Sequence, residues 1–223
     1  MTTPDPLRLP FEWIGGELCL DFINTVTWRR EGTIERDRLA SAADIVEWGR
    51  EAGIVKHPEE LLERVEHSPE RGAGLVQRTH ELRRAVHAVF GALARGAPTP
   101  PDGLSVLNRH LAAALARAEL TRSGGNRDTY DWGWPRLELQ DDGLLWPVAW
   151  SAARLLTSPH PPVRACANDD CGWIFVDRSR RGNRRWCDMR ECGSRAKARR
   201  YYRRKRAATG PVRAGDHVPP DRF

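Results

Sequence analysis

Four of the five cysteines fall in one short stretch, "CANDDCGWIFVDRSRRGNRRWCDMREC", residues 166–192. Their order is Cys166-x4-Cys171, fifteen intervening residues, then Cys187-x4-Cys192. Two equally spaced pairs separated by a loop are what a single tetrahedral centre needs, because a short loop lets two sulfurs reach one ion. The expected cofactor is one structural zinc ion; an iron–sulfur cluster and redox-active thiols are the alternatives. Four thiolates leave no open coordination position, so no chemistry is expected at the metal. The start, "MTTPDPLRLPFEWIGGE", has no basic segment followed by an apolar stretch, and no apolar run reaches the length of a membrane helix. The expected location is therefore cytoplasmic, with no membrane partner, and structural disulfides are disfavoured there.

The spacing predicts a local fold. "CANDDCGW" has the turn residues of a knuckle, "WIFVD" reads as a strand, "RSRRGN" as a turn, and "RRWC" as a returning strand. A helix is expected from Asp188. Knuckle, hairpin and helix together make a treble-clef-like unit. Such a unit has too little core to fold by itself, and bound metal supplies on the order of 10 kcal/mol.

Charge gathers at the same end. Residues 164–213 hold 16 Lys and Arg against 5 Asp and Glu, whereas the rest of the chain holds 20 against 25. In "DMRECGSRAKARRYYRRKR" no acid follows Glu191, so helical ion pairs cannot relieve the repulsion beyond it. At about 100° per residue, Arg195, Arg199, Arg203 and Arg206 form one stripe. Lys197, Arg200 and Arg204 lie beyond one edge of it; Ala198, Tyr201 and Tyr202 lie by the other and are expected to pack on the domain. A helix of this width fits the major groove of duplex DNA, where arginine bonds guanine bidentately. Arg184 and Arg185 are expected to clamp phosphates. The competing readings are a solvated face and a surface for an acidic protein.

The first 160 residues read as mostly helical. Leu18, Phe22 and Val26 form an apolar face in "GGELCLDFINTV"; Ser41 and Asp44 are placed to cap "SAADIVEWGREAG". "HPEELLERVEH", "LVQRTHELRRAVHAVFGALARG", "GLSVLNRHLAAALARAEL" and "PVAWSAARLLTS" are further helices. "RLELQDDGLLWPV" alternates around Asp142-Gly143 and predicts a β-hairpin. The expected fold is mainly α: a helical N-terminal domain (1–160) with a small β-hairpin, then a treble-clef-like zinc finger (161–206), then a disordered tail (207–223). Pro159 to Pro162 mark the boundary.

The cysteine segment through "GSRAKARRYYRR" resembles the CGNR-type zinc finger throughout, and "GGELCLDFINTV" is similar to the opening of the ABATE domain that precedes that finger. The resemblance implies a bacterial, stress-induced transcription regulator, with Cys166, Cys171, Cys187 and Cys192 as ligands. The chain departs at the name-giving tetrapeptide. Cys192-Gly193-Ser194-Arg195 carries Ser where the family has Asn, and serine does not read adenine bidentately as asparagine does.

In the helical domain, Asp21 and Asn24 interrupt an apolar helix. They either satisfy buried backbone groups or line a pocket for a small-molecule effector, with Arg83 or Arg84 as partner to Asp21. Cys19 reads as a small apolar residue. "HELRR" at His80 lacks the second histidine of a zinc-protease helix, and no nucleophile elbow or phosphate loop occurs, so an enzyme is not expected. The expected function is a DNA-binding transcriptional regulator whose helical domain senses a ligand or forms a homodimer. RNA binding, with Trp173 or Trp186 gripping bases, and a zinc-stabilised protein-interaction module are the alternatives.

Overall fold

The computed structural model describes residues 10–28, 34–122, 129–168 and 170–209. Its centre is the short helix α1 (Leu18–Ile23), in which Cys19, Leu20, Phe22 and Ile23 have no exposed surface. A six-residue helix is unstable alone, so it persists because it is enclosed. Around it pack α4 (Pro69–Ala94) and α6 (Leu145–Thr157), which also meet α5 (Pro101–Leu115). α2 (Ala42–Glu51) and α3 (Pro58–Glu66) close another side against α4. Leu75, Leu82, Val86 and Phe90 are the buried stripe of α4 at the expected spacing.

Local sequence sets the helix starts. Ser41 Oγ accepts from the Asp44 amide at 3.1 Å while the Asp44 carboxylate accepts from the Ser41 amide at 3.0 Å, a reciprocal cap on α2. α4 begins at Pro69, six residues earlier than its apolar stripe, because Ser68 caps it and proline lacks the amide that would go unpaired there.

Among the described residues three two-stranded antiparallel pairs decorate the helices: β1 (Val26–Trp28) with β2 (Ile34–Asp37), β3 (Glu119–Arg122) with β4 (Tyr130–Gly133), and β5 (Val163–Ala165) with β6 (Ile174–Val176). None is the hairpin expected over "RLELQDDGLLWPV". There the chain makes a 3-10 turn at Leu137–Leu139 and enters α6. Adjacent Leu137 and Glu138 are both buried, which a strand's alternation forbids. The Glu138 carboxylate accepts from the Lys56 amide at 2.9 Å, just before α3. Gly143 lies so close to the Leu137 carbonyl that a Cβ there would sit 2.1 Å from its oxygen, so the dipeptide serves a tight helical entry instead of a hairpin.

The C-terminal segment shares core with the helical domain. Val163, Ile174 and Val176 are buried in the same core as α1, α4 and α6. Asn24, at the end of α1, donates to the Ile174 carbonyl at 2.9 Å and accepts from the Ile174 amide at 3.0 Å, mimicking a neighbouring strand. Trp173 Nε1 donates to the Val26 carbonyl at 2.8 Å, the Val176 amide to the Gly15 carbonyl at 2.9 Å, and His87 Nε2 lies 3.1 Å from the Gly172 carbonyl. The small core expected of a finger is thus supplemented by the helical domain.

Candidate metal centre and the basic helix it anchors

β5 and β6 bracket the first cysteine pair, so the knuckle Cys166–Cys171 is the loop of this hairpin. The strand expected at "RRWC" does not form. Instead the loop after β6 winds around Asp177, whose side chain is fully buried. Its carboxylate accepts from the amides of Ser179 (3.0 Å) and Arg184 (2.9 Å) and from Arg164 Nε (2.9 Å). Burial works against its charge, yet these hydrogen bonds hold its pKa below the ordinary carboxylate value. Wrapped this way, residues 184–187 run beside the knuckle, and the Ala167 amide reaches the Arg185 carbonyl at 2.8 Å.

The result is a sulfur cage. The Sγ atoms of Cys166, Cys171, Cys187 and Cys192 all lie within 4.8 Å of one another. Cys171 and Cys187 are 3.7 Å apart, and Cys187 and Cys192 3.5 Å. A tetrahedron with Zn–S bonds of about 2.3 Å has edges of about 3.8 Å. The spacing therefore fits one zinc ion, is too wide for disulfides, and is too compact for thiolates spread around an iron–sulfur cluster. All five cysteines are unbridged.

Backbone and side chains around the cage favour thiolates. The Cys187 amide donates toward Cys166 Sγ at 3.5 Å, and the side-chain amide of Asn168 donates to Cys192 Sγ at 3.3 Å. Hydrogen bonds from the Cys171 and Cys187 thiols push the Cys166 pKa down, and sharing protons with that sulfur pushes Cys171 and Cys187 up. Sulfurs this close cannot all ionise unless a cation balances them, and a divalent ion supplies that charge when bound.

Asn168 and Arg184 were not legible as support for the cage. Arg184 lies over the Phe175 ring, 4.2 Å from its centroid, and donates to the carbonyls of Trp186 and Cys187. Its guanidinium is thus engaged beside a ligand. Arg185 is exposed, its guanidinium 5.3 Å from the Trp186 ring. Trp173 is tied to Val26 and packs, partly buried, in the small core of the finger with Trp186.

The helix leaves directly from the cage. Asp188 caps a π turn, Met189–Gly193, that contains Cys192, and α7 (Ser194–Thr209) continues it. The helix runs past Arg206 to Thr209; the side chain of Arg206 and residues 210–223 of the expected tail lie outside what is described. Arg195, Lys197, Arg200, Arg203 and Arg204 are exposed, and Arg199 is half-buried. Two acids offset the stripe: Glu191 lies 3.7 Å from Arg195, and Asp170 2.5 Å from Arg199. Tyr201 and Tyr202 do not pack on the domain as expected; they are 62% and 63% exposed. Ser194, in the position of the family asparagine, donates to the Met189 carbonyl at 3.2 Å, a bond internal to the turn.

The three residues expected to share a ligand pocket are not brought together. Asn24 is used on Ile174. Arg83 is buried and forks onto Asp37, with Nη1 2.8 Å from one oxygen and Nη2 on the other, so it does not serve Asp21. Burial alone would raise the Asp37 pKa, and the Arg83 fork more than offsets it. Arg84 is exposed. Asp21 accepts from the Gly15 amide at 2.7 Å, and burial pushes its pKa up to about 6. Burial likewise pushes the Cys19 thiol up to about 12, which keeps it protonated.

Among the described residues no helix is long and apolar enough to cross a membrane. No curated protein matches the chain. Two family models do. Residues 16–159 match ABATE, described as "Putative stress-induced transcription regulator", and residues 163–205 match the CGNR zinc finger. With the matched segments abutting at the proline-rich turn and the four sulfurs in one cage, the chain belongs to the ABATE family and carries a CGNR zinc finger at its C-terminal end.

Proposed function

We propose that this protein is a cytoplasmic DNA-binding transcriptional regulator in which the metal-anchored helix α7 enters the major groove and the helical domain senses a ligand. The carrying observation is the run of cations from Arg195 to Arg204, all but Arg199 exposed, on a helix rooted at Cys192. Sixteen helical residues span about 24 Å, enough to follow a groove. Arg195, Lys197, Arg199, Arg200, Arg203 and Arg204, together with Arg185, supply the contacts; some position the helix on phosphates and others read guanine. Nothing in this reading requires a catalytic step.

The test is retention of random genomic fragments on the purified zinc-loaded protein, followed by salt titration of a recovered site. A helix that engages about six phosphates loses roughly 10³-fold in affinity between about 50 and 200 mM salt. Salt-independent retention, or none, sinks the reading. The exposed Tyr201–Tyr202 pair, with ring centroids 5.5 Å apart, favours a second reading, single-stranded RNA, because tyrosine stacks on unpaired bases. Preference for single-stranded RNA over duplex in the same assay selects it.

A further inference from the structure

Four tryptophans converge on a groove lined by none of the four cage cysteines. Trp13, Trp132, Trp134 and Trp150 line a cavity of about 600 Å³ at the junction of α1, β4 and α6. Its size suits a small organic molecule. Trp13 and Trp132 are 42% and 46% exposed, an uncommon state for so large an apolar side chain. Their rings are nonetheless held. Trp13 stacks on Trp48 at 6.2 Å, Trp132 meets Trp150 edge-on at 5.9 Å, and Trp134 Nε1 donates to the Ala114 carbonyl at 2.8 Å. Indole walls are thus fixed before any ligand arrives, which lowers the ordering cost of binding.

The charges of the lining select the ligand. Asp21 and Asp131 face the cavity, and Glu17 on its wall is already paired with Arg154 at 3.4 Å and Arg178 at 2.5 Å. Asp21 sits 9% exposed, bonded to the Gly15 amide, and among the described residues no cationic side chain pairs with it. Indole faces carry negative electrostatic potential, and carboxylates beside them add to it. Anions are disfavoured by the same field.

We infer that this groove is a binding site for an organic cation, an ammonium group borne on an aromatic or aliphatic body, held by the indole faces and the carboxylate of Asp21. The inference gives a chemical class to the ligand-sensing half of the reading above and is independent of the nucleic-acid half. The site also touches the finger's attachment: Glu17, on its wall, lies 2.5 Å from Arg178 of the finger, and α1, which supplies Asp21, ends at the Asn24 clamp.

The test is isothermal titration calorimetry of the zinc-loaded full chain with benzyltrimethylammonium, with benzyl alcohol as neutral control and benzoate as anionic control. The expected result is saturable binding of one cation per chain, with both controls at least about tenfold weaker. Trp132→Leu is expected to weaken the cation at least about fivefold and Trp132→Phe to retain most of the affinity. Trp13→Leu, on a different segment, gives a second reading, with unchanged circular dichroism showing that each variant is folded. Absence of saturable binding, equal binding of benzyl alcohol, or indifference to both leucine variants overturns the inference. No nucleic acid enters the assay, so its failure and failure of the DNA reading are separately visible.

Discussion

Asn24 and Ile174 lie 150 positions apart and are joined by two hydrogen bonds of 2.9 and 3.0 Å through one side-chain amide. Asn24 is 4% exposed and Ile174 1%. The asparagine completes strand β6 as a neighbouring strand would, and so fixes the finger on the end of the most buried helix. Replacing it with alanine leaves a buried amide and a buried carbonyl unpaired, at a cost of about 2–4 kcal/mol. The expected readout for Asn24→Ala is a lower denaturation midpoint together with faster zinc loss to a chelator, since the knuckle follows from β5 and leads into β6. A stability change without faster metal loss contradicts the coupling.

Metal content is the second expectation. Elemental analysis of reduced protein should give one zinc per chain, and serine at Cys166, Cys171, Cys187 or Cys192 should reduce it. Removal with a chelator should unfold the finger, seen as altered Trp173 and Trp186 fluorescence, while the helical signal of the first 157 residues largely persists, because the main core contains α1, α4 and α6. Binding requires thiolates, so acidification protonates the sulfurs and releases zinc. Measured affinity should fall as pH drops.

Arg200 and Arg204 provide the cleanest test of the basic helix. Both are exposed, whereas Arg199 is half-buried against Asp170, and its replacement mixes local structure with nucleic-acid contact. Arg200→Glu with Arg204→Glu should lower duplex affinity at least about 100-fold at low salt and flatten the salt slope by about two phosphate equivalents. Thermal stability should stay unchanged. Unaltered affinity removes α7 from the interface.

Asp21 predicts a pH dependence of stability. Burial raises its folded pKa from 3.8 to about 6. The folded state therefore holds the proton more tightly than the unfolded chain. The associated stability is fully present below pH about 3.8 and is lost as pH rises through about 6; two units amount to about 3 kcal/mol at most. Asp21→Asn cannot titrate, so its stability profile should be flatter between pH about 4 and about 6 than that of the parent chain. Parallel profiles for the two proteins refute the assignment.

The sequence alone determined the elements whose signals are local. Paired cysteines at equal spacing specify a tetrahedral sulfur site, because loop length alone decides whether two sulfurs reach one ion. Ser41 and Asp44, the apolar period of α4 and the acid-free run after Glu191 likewise act within a few residues of themselves. Tertiary structure decided what depends on a distant partner. Leu137 and Leu139 alternate like a strand, but Glu138 is drawn inward by the Lys56 amide, a contact across 82 positions that no local period encodes. Arg83 found Asp37 in place of Asp21 because the β1–β2 hairpin carries that carboxylate to α4. Arg184 counted as one more cation in the sequence; folding set it over Phe175 and against the Cys187 carbonyl, where it supports the cage. The tryptophans of the groove come from three separated stretches of chain, and only their packing gives them a common cavity.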